Sequence, residues 1–143
     1  MRTKFPVTVH IFFLRDQKVL LLRRRNTGYE DGNYSVVAGH VEEGESITQA
    51  AIREVKEEVG VELRPSDVRV VGVIFRKSDD QRVDCFLAVT KWGGDVVNRE
   101  PNRCDDLSWF PIDGLPENVV DYIRRALQNY EQGVWFDEYG WAQ

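Results

Sequence analysis

The sequence predicts an α/β (α+β) fold in which the strands form a sheet with a helix on either face. Apolar, strand-like runs recur along the chain, and two segments have helical composition, one central and one near the C-terminus. Clusters of glycine, proline, asparagine and aspartate separate these segments as turns. The 143 residues are enough to bury one core, and no linker, repeat or low-complexity segment interrupts them, which predicts a single domain over residues 1–143.

The N-terminal part of the chain is predicted to be mainly β-structure. Residues 7–14 and 19–24 are strand-like runs that a short polar turn separates, which indicates a hairpin. Residues 26–33 are rich in glycine, asparagine and aspartate and are predicted to form a loop. A short strand over residues 34–38 then leads towards the central helix.

The later elements follow from composition in the same way. Residues 46–59 contain no proline or glycine and are rich in good helix formers, so a helix is predicted there, with Gly60 as its left-handed cap. A turn, two long strands, a second turn and a short strand are predicted at residues 64–67, 68–76, 82–91, 92–95 and 107–110. A second helix is predicted to open at residues 115–118 and to run to about residue 130.

Composition excludes several classes of protein. The formal net charge of −5 leaves no general basic surface for gripping nucleic acid, so no stable nucleic-acid complex is expected. No apolar run reaches membrane-spanning length, and the N-terminus lacks the apolar region of a secretory signal. Cys85 and Cys104 lack zinc-site spacing and are expected to be reduced, in or near the core. The cytoplasm is the expected location.

Residues 39–61 carry the most informative pattern in the chain, GHVEEGESITQAAIREVKEEVGV. Glu54, Glu57 and Glu58 stand at i, i+3 and i+4, on one side of the predicted helix. Carboxylates so close together repel each other, and a divalent cation bound among them would offset that repulsion. Gly39 and Gly44 are expected to allow a tight loop before the helix.

The helical segment alone also fits a solvated surface on which residues such as Arg53 and Glu57 pair. The whole pattern is G-x5-E-x7-R-E-U-x-E-E-x-G-U, where U is aliphatic. Seven fixed and two aliphatic positions would coincide by chance with a probability on the order of 10⁻⁷, which decides against that simpler interpretation. The pattern resembles the Nudix box, and the chain is therefore similar to the Nudix hydrolases.

The resemblance implies a fold, an activity and a metal ion. The Nudix fold is a mixed β-sheet in an α/β/α sandwich whose catalytic helix follows a glycine-rich loop. Nudix enzymes cleave a nucleoside diphosphate that is linked to a further group, and they substitute at phosphorus with the help of divalent cations. Mg²⁺ is the expected ion, with Mn²⁺ as a common substitute.

The resemblance also assigns roles within the box. Glu54, Glu57 and Glu58 match the acids that bind the metal, and Gly39 matches the residue whose backbone carbonyl contributes to the same ion. Arg53 and Glu45 match the pair that orients the catalytic helix. The general base is one of the three box glutamates or a carboxylate outside the box.

Residues outside the box are weaker candidates. The family often draws a further metal ligand or base from a loop after the box, and Glu100 is the expected residue here. Three other acids compete with it, namely Asp84, Asp105 and Asp106. Arg23 and Arg25, at the end of a strand that enters the loop before the box, are expected to fork onto phosphate oxygens or simply to be solvated.

Aromatic residues and histidines admit more than one interpretation. Tyr29 and Tyr34 would flank a nucleobase or cover the edge of the core. The aromatic segment 133–141 is expected to pack on the protein's own sheet, with a fold over the nucleotide site or a subunit contact as alternatives. His10 fits a strand interior and His40 a variable position of the box, so neither is predicted to be catalytic.

The substrate is the least determined property. The segments 104–110 and 115–118 are similar to the tail of MutT-like triphosphate pyrophosphohydrolases, in which an asparagine at the matching place of Asn118 reads the base edge. An asparagine there would also cap the helix. The expected reaction is hydrolysis of a nucleoside triphosphate, normal or damaged, to the monophosphate and pyrophosphate. A nucleotide sugar, a dinucleotide, capped RNA and a non-catalytic nucleotide sensor remain alternatives, in a monomer or a homodimer.

Overall fold

The computed structural model describes residues 1–142 and contains a mixed sheet with one helix on each face, as predicted. The strands are β1 (Val7–Arg15), β2 (Lys18–Arg24), β3 (Tyr34–Ser35), β4 (Val37–His40), β5 (Arg69–Lys77), β6 (Gln81–Val89), β7 (Cys104–Pro111) and β8 (Phe136–Tyr139). The helices are α1 (Ile47–Val59) and α2 (Asp121–Gln132), and a 3₁₀ turn spans Pro65–Asp67.

The sheet runs in the order β3-β2-β1-β6-β5-β8, with β4 beside β1 and β7 beside β2. The β1–β6 and β5–β8 pairs are parallel and the other pairs are antiparallel. β1 changes its partner along one edge, because residues 8–11 pair with β4 whereas residues 14 and 15 pair with β2. This change of partner places β4, which carries Gly39, directly beside the start of β1.

Alternation along the strands creates two cores, one on each face of the sheet. From β1, Val9 and Ile11 point to the α1 side and join the cluster that includes Val55 of the helix. Phe12 points to the opposite side, where it packs in the cluster that includes Ile123 of α2. The two helices are therefore anchored independently on opposite faces.

Helix α1 begins and ends through the capping groups that its sequence provides. The Ser46 hydroxyl accepts a hydrogen bond from the Gln49 amide at 3.0 Å, and the Gln49 side chain accepts one from the Ser46 amide at 2.8 Å. Gly60 takes the predicted left-handed conformation with φ of 73°. Val55 and Val59 are fully buried and hold the helix on the sheet.

Several boundaries differ from the prediction, among them the start of β7, which lies at Cys104 and not at residue 107. The strand expected over residues 34–38 is two strands, β3 and β4, which pair with β2 and β1 respectively. Helix α2 begins at Asp121, later than expected, and Val120 rather than Asn118 is its N-cap. The reason is tertiary, because the Asn118 carbonyl accepts from the Tyr34 amide at 2.7 Å and the Asn118 side chain donates to the Gly32 carbonyl at 2.8 Å.

The aromatic C-terminal segment packs on the protein's own sheet. β8 lies parallel to β5, and the Trp141 indole donates to the Phe75 carbonyl at 3.0 Å. Trp135 and Phe136 nevertheless remain 58% and 55% exposed. Cys85 and Cys104 are free and buried, as predicted. Within residues 1–142, neither helix has the length and apolarity that crossing a membrane requires.

Candidate active site

One cleft of about 480 Å³ brings the box acids together with residues from the rest of the chain. Four glutamates line it: Glu54, Glu57, Glu58 and Glu100. Five arginines line it as well: Arg23, Arg24, Arg76, Arg82 and Arg103. A cleft of this size with convergent charged groups is the usual form of a small-molecule site.

Glu100 reaches the acidic cluster from a loop before β7. The Asn98 side chain holds this loop, since it accepts from the Glu100 amide at 3.0 Å and donates to the Cys104 carbonyl at 2.7 Å. Burial raises the pKa of Glu100, and the charges of Glu54 and Glu57 raise it further against the lowering effect of Arg103. The structure thus groups Glu100 with the box acids, and its role as ligand or base stays a prediction.

The other three candidate acids are engaged elsewhere. Asp84 is fully buried in a network with Arg76. Asp105 pairs with Arg23 at 2.7 Å, and Asp106 accepts from the hydroxyls of Tyr34 and Ser108. None of these three carboxylates lines the cleft.

Gly39 acts through its small size rather than through its backbone conformation. It lies in β4, paired with Val9, and its φ is not positive, so the expectation that it forms the tight loop is wrong. A Cβ atom on Gly39 would overlap the Glu54 carboxylate. Gly44, with φ of 80°, is the glycine that the loop needs.

Arg53 ties the helix to the strand and loop before it. Its Nε donates to Glu45 Oε2 at 2.7 Å and its Nη2 to Glu45 Oε1 at 2.9 Å, which is a bidentate pair. The same guanidinium donates to the His40 carbonyl at 3.0 Å and to Glu54 Oε1 at 2.6 Å. This pairing lowers the pKa of Glu45 to about 2 and raises that of Arg53.

Glu58 carries an unpaired oxygen at the base of the cluster. Its Oε2 is enclosed by protein and has no hydrogen-bond partner within residues 1–142. Burial raises the pKa of Glu58 well above its usual range, and Glu54 and then Glu100 add to that effect. An enclosed carboxylate oxygen among like charges is costly unless a cation accompanies it.

The donor set fits a hard divalent cation, which prefers carboxylate and carbonyl oxygens. Glu57 is exposed to the cleft, Glu58 has its unpaired oxygen, and the Gly39 carbonyl lies on the β4 wall. No three acidic, histidine or cysteine side chains among residues 1–142 already surround a common point as ligands. Glu54 accepts from Arg53 at 2.6 Å, and its carboxylate also lies next to Gly39 and Glu58.

The predicted substrate-binding residues are only partly in the cleft. Arg23 and Tyr29 line it, whereas Arg25 is exposed outside it and Asn118 is bonded to Gly32. Arg24 lines the cleft instead of Arg25, next to the point where the β2–β7 register shifts because β7 carries one extra residue, Asp105. Tyr34 is buried, with its ring packed edge-on to Phe110, so it covers the core edge.

Several cleft residues were missed from the sequence: Thr8, His10, Arg76, Arg82, Arg103 and Tyr122. The available signal was charge inside strands, since Arg76 ends the apolar run of residues 70–75 and Asp84 interrupts the run of residues 83–89. Charged residues are almost never fully buried unless they are paired, so two such residues in neighbouring strands indicate a contact.

Comparison with known proteins identifies the family. A sequence model described as the NUDIX domain matches residues 4–130. The chain belongs to the NUDIX family. The predicted resemblance is confirmed, and with it the assignment to a family of hydrolases that act on pyrophosphate bonds.

Two curated relatives are named for different activities. The chain is 32% identical over 135 residues to the NAD-capped RNA hydrolase NudC of Vibrio atlanticus, which covers 85% of this chain and 48% of that protein. It is also 32% identical over 119 residues to the ADP-ribose pyrophosphatase of Methanocaldococcus jannaschii, which covers 81% of this chain and 67% of that protein. The chain thus spans about half the length of the Vibrio relative.

The fold matches that of solved Nudix proteins. The MutT NUDIX hydrolase from Burkholderia pseudomallei superposes with a TM-score of 0.80 at 26% identity, over 88% of this chain and 98% of that one. The MutT protein from Methanosarcina mazei superposes with a TM-score of 0.76 at 21% identity, over 92% and 96%. The predicted α/β/α sandwich is therefore confirmed.

Proposed function

We propose that this protein uses a divalent cation to hydrolyse the pyrophosphate linkage of a nucleoside diphosphate derivative. The observation that carries the proposal is the cluster of Glu54, Glu57, Glu58 and Glu100 on the wall of a cleft that also holds five arginines. The acids provide oxygen ligands for cations, and the arginines provide donors for phosphate oxygens. Family membership supports the same reaction class.

The residues expected to hold Mg²⁺, or Mn²⁺ in its place, are Glu57, Glu58, Glu54 and the carbonyl of Gly39, with Glu100 as a further ligand. When bound, the ion would neutralise phosphate oxygens and lower the pKa of a water molecule. Arg53 and Glu45 then keep the helix and the β4 loop in fixed relation, so that the acids stay aligned. Arg23, Arg24 and Arg103 of the same cleft would orient the phosphates.

The proton of the attacking water needs a carboxylate acceptor. Glu100 and the box glutamates are the candidates, because all four line the cleft. Asp84 is not, since its oxygens already accept from Thr8, His10 and Arg76. Glu100→Gln should lower turnover and leave Mg²⁺ binding largely intact if Glu100 is the base, and should weaken both if it is a ligand.

Two substrate classes are favoured by separate observations. The relatives named NAD-capped RNA hydrolase and ADP-ribose pyrophosphatase favour a dinucleotide or its fragment as substrate. The superposition with a MutT NUDIX hydrolase favours the nucleoside triphosphate that the sequence predicts. One argument for the triphosphate was that Asn118 would read the base edge. Asn118 instead donates to the Gly32 carbonyl and does not line the cleft. We therefore place the NAD-type dinucleotide first and the triphosphate second.

The test is a substrate panel with Mg²⁺ and product identification. NAD, ADP-ribose, nucleotide sugars, nucleoside triphosphates and NAD-capped RNA would each be incubated with the protein and with its Glu58→Gln variant. NMN and AMP from NAD would support the first class, and release of pyrophosphate only from triphosphates would support the second. Binding of nucleotides without turnover of any panel member would overturn the enzymatic proposal in favour of a sensor.

A further inference from the structure

A second polar cluster lies in the same cleft, on the α2 face of the sheet. Its centre is Asp84 of β6, a carboxylate with 0% exposure. Asp84 accepts from the Thr8 hydroxyl at 2.5 Å and from Arg76 Nε at 2.6 Å, and its Oδ1 lies 3.1 Å from His10 Nε2. Three donors around one carboxylate compensate for its complete removal from water.

His10 contributes no charge to this cluster. Its burial lowers its pKa to about 4, with the charges of Arg76 and Arg82 adding to the effect and that of Asp84 opposing it. Its ring stacks on Phe86, with centroids 4.8 Å apart. The ring is therefore neutral near physiological pH, and its Nε2 serves as a donor to Asp84.

Arg76 is the member of the cluster that faces outwards. It is only 5% exposed, and its single protein acceptor within residues 1–142 is Asp84, which takes the Nε hydrogen. Its two terminal amino groups donate to no described residue, yet they are not enclosed by protein, and Arg76 lines the cleft. A nearly buried guanidinium that keeps most of its donors for the cleft is costly unless a ligand or water accepts from them.

The orientation of this guanidinium is fixed from two sides. Asp84 holds Nε, and the Arg76 Cζ lies 3.7 Å from the centre of the Tyr122 ring. The terminal amino groups are thus presented in one plane without the loss of side-chain freedom that a mobile arginine would suffer on binding. Arg82, the neighbouring arginine of the cleft, differs because two of its nitrogens are paired with Asp80.

We propose that Arg76 is a specificity-determining residue that donates hydrogen bonds to an exocyclic carbonyl oxygen on a planar ring of the substrate. The inference rests on the proposed function, because it assumes that the diphosphate lies against the acids and the attached ring lies further along the cleft. The charge of Arg76 is compensated by Asp84, so the pair offers directional donors with little net charge. Such donors suit a neutral carbonyl oxygen better than a phosphate, because the negative charge of a phosphate would be repelled by the buried Asp84 carboxylate.

Two ring systems carry this chemistry. Guanine presents adjacent O6 and N7 acceptors, which arginine binds bidentately, whereas adenine presents a donor amine in place of O6. The carboxamide of nicotinamide offers a carbonyl oxygen on a planar ring as well. The first source corresponds to a guanine nucleotide substrate and the second to an NAD-type dinucleotide. Ligand pairs of which only one member carries the ring carbonyl separate the two sources.

The test measures binding of mononucleotides by calorimetry in the presence of Mg²⁺, which requires no turnover. GMP is compared with AMP, and NMN with ribose 5-phosphate, in the wild type and in Arg76→Lys. Lysine keeps the charge next to Asp84 and loses the planar fork. We expect the wild type to prefer GMP over AMP, or NMN over ribose 5-phosphate, and Arg76→Lys to reduce that preference roughly tenfold.

Arg82→Lys is the matched control, because it makes the same change at a cleft arginine whose fork is already paired with Asp80. It should leave the preference between ligands unchanged. If Arg76→Lys weakened the binding of all four ligands and of inorganic phosphate equally, Arg76 would be a phosphate contact and the inference would be overturned. The inference would also be overturned if the wild type bound GMP and AMP equally and bound NMN and ribose 5-phosphate equally. A protein that shows the preference but hydrolyses no panel member would contradict the proposed function and leave the role of Arg76 standing.

Discussion

Glu58 lines the cleft and Asp84 lies buried behind Arg76, which also lines it, and the two residues show two ways of placing a carboxylate inside a protein. Asp84 is fully buried with three donors around it, all supplied by the chain itself. Glu58 has an enclosed oxygen with no partner within residues 1–142, and its neighbours Glu54 and Glu100 are themselves acids. The first arrangement is complete in the protein alone, whereas the second lacks a positive charge.

The difference indicates different roles. A carboxylate that the chain satisfies completely stabilises its donors and fixes their orientation, which for Asp84 means the Arg76 guanidinium. A carboxylate that the chain leaves unsatisfied stores electrostatic free energy that a cation can release on binding. Substitutions at the two positions should therefore act on stability in opposite directions.

Asp84→Asn tests the complete arrangement and should have the largest effect on folding. The amide leaves the Arg76 charge without its counter-charge and replaces an acceptor by a donor, so the free energy of unfolding should fall by about 3–5 kcal/mol. Urea denaturation followed by circular dichroism measures this change. An Asp84→Asn protein as stable as the wild type would show that the buried pair is not needed for folding.

Glu58→Gln tests the incomplete arrangement. Turnover should fall at least about a hundredfold, because the variant loses a metal ligand. Without metal, its unfolding free energy should equal or exceed that of the wild type, because one of the mutually repelling charges is gone. At Mg²⁺ concentrations about a hundredfold above Kd, the wild type should gain about 2.7 kcal/mol, and the variant much less. Equal activity, or equal stabilisation by Mg²⁺, would contradict the assignment.

Gly39→Ala tests whether the acidic cluster depends on close approach of β4 to α1. The new methyl group would overlap the Glu54 carboxylate and displace it, so turnover should fall by roughly a hundredfold. Gly93→Ala is the control, since its added methyl group meets nothing within 4 Å and its φ is not in the left-handed range. Steady-state kinetics on both variants gives the comparison, and similar rates in the two would exclude the proposed overlap.

His10→Gln sharpens the description of the Asp84 cluster with a small effect of pH. Because the pKa of folded His10 is lowered to about 4, the unfolded chain binds a proton more readily, and stability is lost as pH falls through the ordinary histidine range. Between about pH 7.5 and about pH 6 the loss should be about 0.8 kcal/mol. Glutamine still donates to Asp84 but does not titrate, so the free energy of unfolding of the variant should fall less over the same pH range. Matched pH dependence in both proteins would show that His10 is not buried as a neutral ring.

Local pattern was sufficient to predict helix α1. A helix was predicted over residues 46–59 with Gly60 as its left-handed cap, and the structure places α1 at Ile47–Val59 with Ser46 and Gly60 as its caps. The strands of the first hairpin and of the β5–β6 pair were also predicted within one or two residues, because their turns are local. The start of α2 was not, because Asn118 pairs with the chain around Tyr34, which is remote in sequence.

The same contrast holds inside the cleft. The sequence by itself determined the acids of α1, since three glutamates on one helical face need only a 3.6-residue period to come together. Only the tertiary structure decided that Glu100, and not Asp84, lies with them, that Arg24 replaces Arg25, and that Arg76 faces the cleft. These outcomes depend on strand register and on a bulge in β7, which join residues far apart in the chain and leave no periodic signal in the sequence.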